Sequence, residues 1–256
     1  MEYTTAEILD LLRQEFASRI ATGAVIVSQA TEESLADRRG NPAWIRANFS
    51  TLIEGIQARA YDIYLASERR AGGNALRRVF ARIVDNDSAD AVLTALEGNF
   101  MALDRFFLGL TQGRRPRAGS AFEQVIKDLF TELGYPFTAK PKIDGRPDFV
   151  LPSVQHYAAN PLDCVIFTVK RTLRERWRQV ATEGTRALGF YLATIDENVG
   201  PGDLADMVRS KIHLVVPKRT KQVPAYAAAG NVIDFETFFE HHLDPALRRW
   251  VSSGVV

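Results

Sequence analysis

Asp148 and Lys170 are the residues whose types and surroundings could carry chemistry in this chain. Asp148 follows Pro147 at the start of a short apolar run, Phe149–Leu151, and Lys170 closes a second run, Cys164-Val165-Ile166-Phe167-Thr168-Val169. Both runs have the composition of strands. Side chains alternate along a strand, so Lys170 shares a face with Thr168 and Ile166, while Val165, Phe167 and Val169 pack the other. A carboxylate and an ammonium on neighbouring strands can hold a divalent cation and orient a water molecule. Hard oxygen ligands suit Mg²⁺. The ammonium can position a nucleophile and offset charge developing at phosphorus. Directly beyond stand Arg171, Arg174, Arg176 and Arg178 against the single acid Glu175. Such a local basic row suits a polyanion even though the formal net charge is only +1. The chemistry implied is phosphodiester hydrolysis on nucleic acid.

The elements that must position these groups follow from pattern. With 256 residues, 46% of them hydrophobic, the chain can bury a substantial core. Residues 1–111 read as helical throughout, with no strand and no repeat. Thr4-Thr5-Ala6-Glu7 offers a capping box. Asn41-Pro42 opens a long helix that Gly72-Gly73 is expected to break. Shorter helices are expected around Leu76–Ile83 and from about Ala89 to Leu110. The run Gln112–Gly119, rich in arginine, glycine and proline, reads as a boundary loop. It separates a helical region, 1–111, expected to serve dimerisation and DNA contact, from a catalytic domain, 112–256.

After that boundary the pattern changes. Ser120–Leu133 is an amphipathic helix with Phe122, Val125, Ile126, Leu129 and Phe130 inward. Strands then alternate with helices: Phe149–Leu151, Leu162–Val169, helix Leu173–Leu188, strand Phe190–Thr194, helix Asp203–Lys211, strand Ile212–Val216, a strand near Val232 and a last helix holding Phe235–His242. This interleaving argues an α/β core with a mixed sheet flanked by helices. Cys164 is the only cysteine, which excludes a disulfide framework and a cysteine-rich zinc site. The four histidines lack metal-ligand spacing; His213 reads as packing and His241-His242 as surface. No basic-then-apolar leader opens the chain and no apolar run is long enough to span a bilayer, so a cytoplasmic protein with no membrane partner is expected.

A Pro-Asp…Lys pattern alone is common. Its surroundings are specific. RAGSAFEQVIKDLF, GRPDFVLPSVQHY, FTVKRTLRERWRQVATEG and HLVVPKRT, in that order, resemble the catalytic domain of EcoRII-type restriction endonucleases, in the PD-(D/E)XK nuclease superfamily. The resemblance covers about residues 114–245. It implies a restriction-endonuclease-like core, with Asp148 as metal-binding aspartate and Lys170 as catalytic lysine. Glu123 falls on an active-site glutamate, Tyr157 on a tyrosine near the site, and Arg176 on an arginine of the active centre. The superfamily usually carries an acid two residues before the lysine, where this chain has Thr168. The resemblance implies that Glu183, from the following helix, supplies that carboxylate and binds the metal with Asp148; the plain alternative is a solvated helix acid.

The resemblance also implies how sequence is read. Arginine donates two hydrogen bonds to guanine and a carboxylate accepts from cytosine N4. Arg174-Glu175-Arg176 is therefore expected to read CC and GG half-sites, as in CCNGG, CCWGG or CCGG. Adjacent residues on a helix do not face each other, so internal ion pairing explains the triplet poorly. Arg114, Arg115, Arg117, Arg171 and Lys218 are expected on DNA phosphates; Arg69-Arg70 and Arg77-Arg78 stay open between DNA contact and ordinary surface. The implied activity is Mg²⁺-dependent cleavage of double-stranded DNA by a homodimer, leaving 5′-phosphate ends, with a cognate DNA methyltransferase as functional partner. Two alternatives remain: a DNA-binding protein that has lost cleavage, favoured only by Thr168, and a repair or junction nuclease of the same superfamily.

Overall fold

The computed structural model describes residues 3–84, 88–143, 145–173 and 189–256, with the backbone alone at 115, 116 and 118. Six helices come first: α1 Thr5–Ala17, α2 Gly23–Leu35, α3 Pro42–Ala47, α4 Phe49–Ile83, α5 Ala89–Gly98 and α6 Phe100–Glu132. Thr4 closes the expected capping box with Glu7, and Asn41 Oδ1 accepts the Trp44 amide at 3.0 Å. The remainder holds six strands: β1 Thr138–Ala139, β2 Phe149–Leu151, β3 Val165–Val169, β4 Gly189–Ala193, β5 Ile212–Val216 and β6 Val232–Asp234. Between them lie α7 Val154–Ala159, α8 Pro201–Arg209, α9 Lys218–Lys221 and α10 Pro224–Ala228. The end of the chain is α11 Phe235–Phe238, a π turn Phe239–Leu243 and α12 Asp244–Ser252.

The chain divides into two compact units, Met1–Ile26 with Arg59–Ala118, and Val27–Ala58 with Gly119–Val256. Residues 27–58, part of the segment expected to be a separate helical region, thus belong with the sheet. The first unit is built around Ile8, Leu12, Phe16, Ala75, Val79 and Phe106.

In the second unit the six strands lie in chain order. β1, β2 and β3 pair antiparallel, and β3 to β6 pair parallel. This is the expected mixed sheet. Both faces are covered, so β2, β3 and β4 are buried at every position. One face carries the register row Val150, Ile166, Phe190 and Ile212 and packs with Leu173, Leu204, Met207 and Tyr226. The other carries Phe149, Phe167 and Tyr191, against Phe130 of α6 and Phe238 of α11. The inward residues expected between Ser120 and Leu133 are all fully buried.

Three local expectations are corrected. Gly72-Gly73 does not break α4, because buried Ala71, Ala75 and Val79 anchor the helix on both sides of the pair. Two interior glycines cost roughly 1 kcal/mol each, less than that burial returns. Gln112–Gly119 is not a loop; it lies inside α6, held by buried Phe106 before it and Phe122 after it. The strand expected from Leu162 begins at Val165, since Pro161–Asp163 forms a 3₁₀ turn.

Candidate active site

Asp148 sits where the chain enters β2, just after a left-handed turn at Gly145 (φ 84°) and Arg146 (φ 49°). The backbone there is in a region that glycine adopts at no steric cost. β2 pairs antiparallel with β3, with Phe149 opposite Phe167. Asp148 therefore arrives beside the end of β3. Its Oδ2 accepts the Val169 amide at 2.7 Å and the Lys170 ammonium at 3.2 Å. The Lys170 amide continues the β3–β4 ladder by donating to the Ala193 carbonyl at 2.9 Å. The Asp148 carboxylate is thus fixed by sheet backbone, and the Lys170 ammonium is held in turn by that carboxylate. The pair opens to solvent on the lysine side, with Lys170 32% and Asp148 14% exposed.

Glu123 of α6 reaches the same place through Lys140. Its Oε1 lies 3.1 Å from Lys140 Nζ, and the Lys140 amide donates to the Asp148 carbonyl at 2.8 Å. Lys140 is 73% exposed, so this ion pair is weak and leaves Glu123 available for another role. Thr168 is fully buried and its Oγ1 has no partner among the described residues. It lies on the Ile166 face among apolar side chains.

Asp196 was not singled out by sequence. Its Oδ2 accepts the Leu173 amide at 2.9 Å and its Oδ1 the Asn198 amide at 3.0 Å. Thr194 Oγ1 donates to the Arg171 carbonyl at 3.2 Å. The buried Tyr226 hydroxyl donates to the Asp196 carbonyl at 2.5 Å and accepts the Val199 amide at 3.1 Å. Burial pushes that hydroxyl's pKa up to about 12, so it remains a donor. The loop 194–199 therefore pins the chain as it leaves Lys170. The Thr-x-Asp-x-Asn spacing of side chains that bond nearby amides was the available signal.

The family called EcoRII C terminal matches residues 77–239. The chain belongs to that family. It is 29% identical over 155 residues to the type II restriction enzyme SsoII of Shigella sonnei, a match covering 56% of this chain and 50% of that protein. It is 30% identical over 135 residues to the type II restriction enzyme EcoRII of Escherichia coli, covering 49% of this chain and 33% of that one. The matches thus span half or less of the curated relatives' length. The fold is that of metal-depleted Ecl18kI in complex with uncleaved, modified DNA, with TM-score 0.81, 24% identity, and 97% and 86% of the two chains covered. It is also similar to PspGI in a complex with substrate DNA, at TM-score 0.64 and 17% identity, covering 90% and 93%. At these identities the likeness is one of fold.

The other expected site residues fall as follows. Tyr157, on α7, packs its ring against the cluster holding Val150 and Ile166. Arg171 is exposed. Lys218 donates its amide to Ser50 Oγ at 3.0 Å, and its ammonium lies 3.8 Å from Glu236. Arg114 holds the nearly buried Glu68 carboxylate, and Arg117 donates to the Tyr64 hydroxyl at 2.8 Å with its guanidinium over that ring. Arg174, Glu175, Arg176 and Glu183, and the helix expected over Leu173–Leu188, lie outside the described residues beyond Leu173; so does the Arg115 side chain. Among the described residues no group of three His, Cys, Asp or Glu side chains is placed to hold a metal ion. Asp148 Oδ1 has no partner among those residues, so one hard oxygen remains for a cation, and this donor chemistry fits Mg²⁺.

Proposed function

We propose that this chain is a type II restriction endonuclease that cuts double-stranded DNA at a short site carrying CC and GG half-sites. The observation that supports it is the Asp148–Lys170 pair, 3.2 Å apart at adjoining strand ends, in a chain of the EcoRII C-terminal family. Relatives similar to this chain are named as type II restriction enzymes. In the reaction a water oxygen bonds to phosphorus, the P–O3′ bond breaks, the 3′ oxygen takes up a proton and the 5′ phosphate remains on the other fragment. Lys170 Nζ donates a hydrogen bond to the attacking water or to the phosphoryl oxygen that gains charge. Asp148 holds that ammonium in place through Oδ2. Mg²⁺, held by Asp148 Oδ1 with Glu183 as second carboxylate, would when bound supply charge neutralisation and acidify water. Glu123 and Arg176 complete the centre.

Arg174, Glu175 and Arg176 read the half-sites, and Arg171 and Lys218 hold phosphates. A two-fold site cut on both strands suits a homodimer, whose helical residues contribute to dimerisation and DNA contact. A DNA methyltransferase acting on the same site would be the functional partner of such an enzyme in the cytoplasm. Digesting phage DNA with and without Mg²⁺ and sequencing the ends tests this. Discrete 5′-phosphate ends within one CC/GG-bearing sequence are expected. Binding of that sequence with no cutting would favour the reading that cleavage has been lost, and cutting without sequence preference would favour a repair or junction nuclease.

A further inference from the structure

Helix α4 shows a surface that the site described above does not use. Its exposed side between Arg69 and Arg78 presents Arg69, Arg70, Gly73, Asn74, Arg77 and Arg78 and no acid. Residues seven apart return to the same helical face, so Arg70 and Arg77 stand on one line, separated by roughly 10 Å at a rise of about 1.5 Å per residue, while Arg69 and Arg78 flank that line on its two sides. None of the four arginines has an ion pair or side-chain hydrogen bond among the described residues. The contrast with the same unit is sharp: Arg82 pairs with Glu15 and Arg114 with Glu68.

Between the pairs lies Gly72-Gly73. Glycine inside a helix is unfavourable, and here packing does not ask for it, because a Cβ added at either position meets nothing within 4 Å. Neither glycine has a positive φ. Gly72 is buried and Gly73 exposed, so Gly73 leaves a gap in the helix surface among four arginines unpaired among the described residues, a shape for close approach by a polyanion. We propose that the Arg69–Arg78 face of α4 grips the phosphate backbone of duplex DNA, with Arg70 and Arg77 on the two walls of a groove about 12 Å wide and Gly73 leaving room between them. This rests on the endonuclease reading for its ligand and adds to that reading a sequence-independent grip carried by a different helix.

The test compares the full chain with Arg70→Gln/Arg77→Gln and with Gly73→Leu, on a CC/GG-bearing duplex and a scrambled duplex over a salt series. Losing two phosphate contacts should flatten the dependence of log affinity on log salt by about two units on both duplexes, with their affinity ratio unchanged. Gly73→Leu should weaken both duplexes alike while the thermal midpoint stays level or rises, because the side chain stands in open space and leucine is the better helix former. An unchanged slope in the double variant, or unchanged binding in Gly73→Leu, overturns the proposal. If the unsubstituted chain cuts no site yet the slope still falls in the double variant, the endonuclease reading fails and the grip stands. If it cuts normally and the slope does not move, only the grip fails. Loss of binding to anionic vesicles with no change on duplex would assign the surface to a membrane and overturn the proposal as well.

Discussion

A single oxygen, Asp148 Oδ2, takes both the Val169 amide and the Lys170 ammonium, so the two charges proposed for catalysis are tied to each other and, through Asp148, to the β3 backbone. Asp148→Asn and Lys170→Ala should each lower cleavage by at least about 100-fold, the loss seen when one preorganised charge-stabilising group is removed. Both variants should still bind the cognate duplex, as measured by gel shift, and normal cutting with Mg²⁺ by either would remove them from the centre. These two residues were legible in sequence because strand alternation and the Pro-Asp start are local signals. Asp196 was not, because its work is to accept amides across a loop. Thr168 is informative in the opposite sense. Its hydroxyl is buried without a partner among the described residues, so Thr168→Val should leave cleavage intact and raise stability by about 1 kcal/mol in denaturant unfolding. Glu183→Gln should instead depress cleavage strongly at limiting Mg²⁺. Full activity in Glu183→Gln would leave Glu123 as the remaining candidate for the second carboxylate.

Among the elements, strands β2, β3, β4 and β5 were readable to within a few residues because a sheet buried on both faces needs continuous apolar runs. The long helices were misread where glycine, proline and arginine suggested breaks, since what continues α4 and α6 is burial on either side, which a local window does not see. Gly119 lies inside α6 and a Cβ there meets nothing within 4 Å. Gly119→Ala should therefore stabilise the protein by up to about 1 kcal/mol in denaturant unfolding; destabilisation would argue that the helix is interrupted there. Gly189 is the converse case, because a Cβ would fall 2.5 Å from the Tyr191 ring. That ring belongs to a cluster read wrongly in part. His213 does pack, stacked 5.3 Å from Tyr191, but His242 is half-buried rather than on the surface, its Nδ1 3.0 Å from the Tyr191 hydroxyl. Burial lowers the pKa of both histidines, and for His242 the neighbouring His213 and His241 lower it further. The unfolded chain then binds protons that the folded one resists. Stability from this cluster is complete above about pH 6.5 and is lost as pH falls through the histidines' lower folded values. The thermal midpoint should drop between pH 7 and 5, and His213→Phe should shrink that drop. An equal drop in the variant would place the acid sensitivity elsewhere.

At the scale of the whole molecule, a formal net charge of +1 hides the division of labour among its arginines. The structure separates arginines that hold the fold from those free to hold a ligand, a distinction that residue type alone does not carry. Arg114 was expected on a DNA phosphate, yet it braces Glu68, whose carboxylate is only 7% exposed. Arg114→Ala would leave that carboxylate with little besides the Tyr64 hydroxyl and should reduce stability by about 1–3 kcal/mol, read by denaturant unfolding. Arg174 is expected to do the opposite kind of work. A lost bidentate contact to guanine removes about 1–3 kcal/mol of discrimination. Arg174→Ala should therefore weaken binding to a CC/GG-bearing duplex by about one to two orders of magnitude, leave a scrambled duplex nearly unaffected, and keep both the thermal midpoint and the salt slope. The Leu173 amide, tied to Asp196 at 2.9 Å, fixes the described residue that directly precedes Arg174. Asp196→Ala should then blunt discrimination and cleavage together, while Asp196→Asn, which keeps an acceptor for the Leu173 amide, should restore most of both. Equal losses on the two duplexes for Arg174→Ala would mean that the triplet grips backbone, and the CC/GG assignment would fall with it.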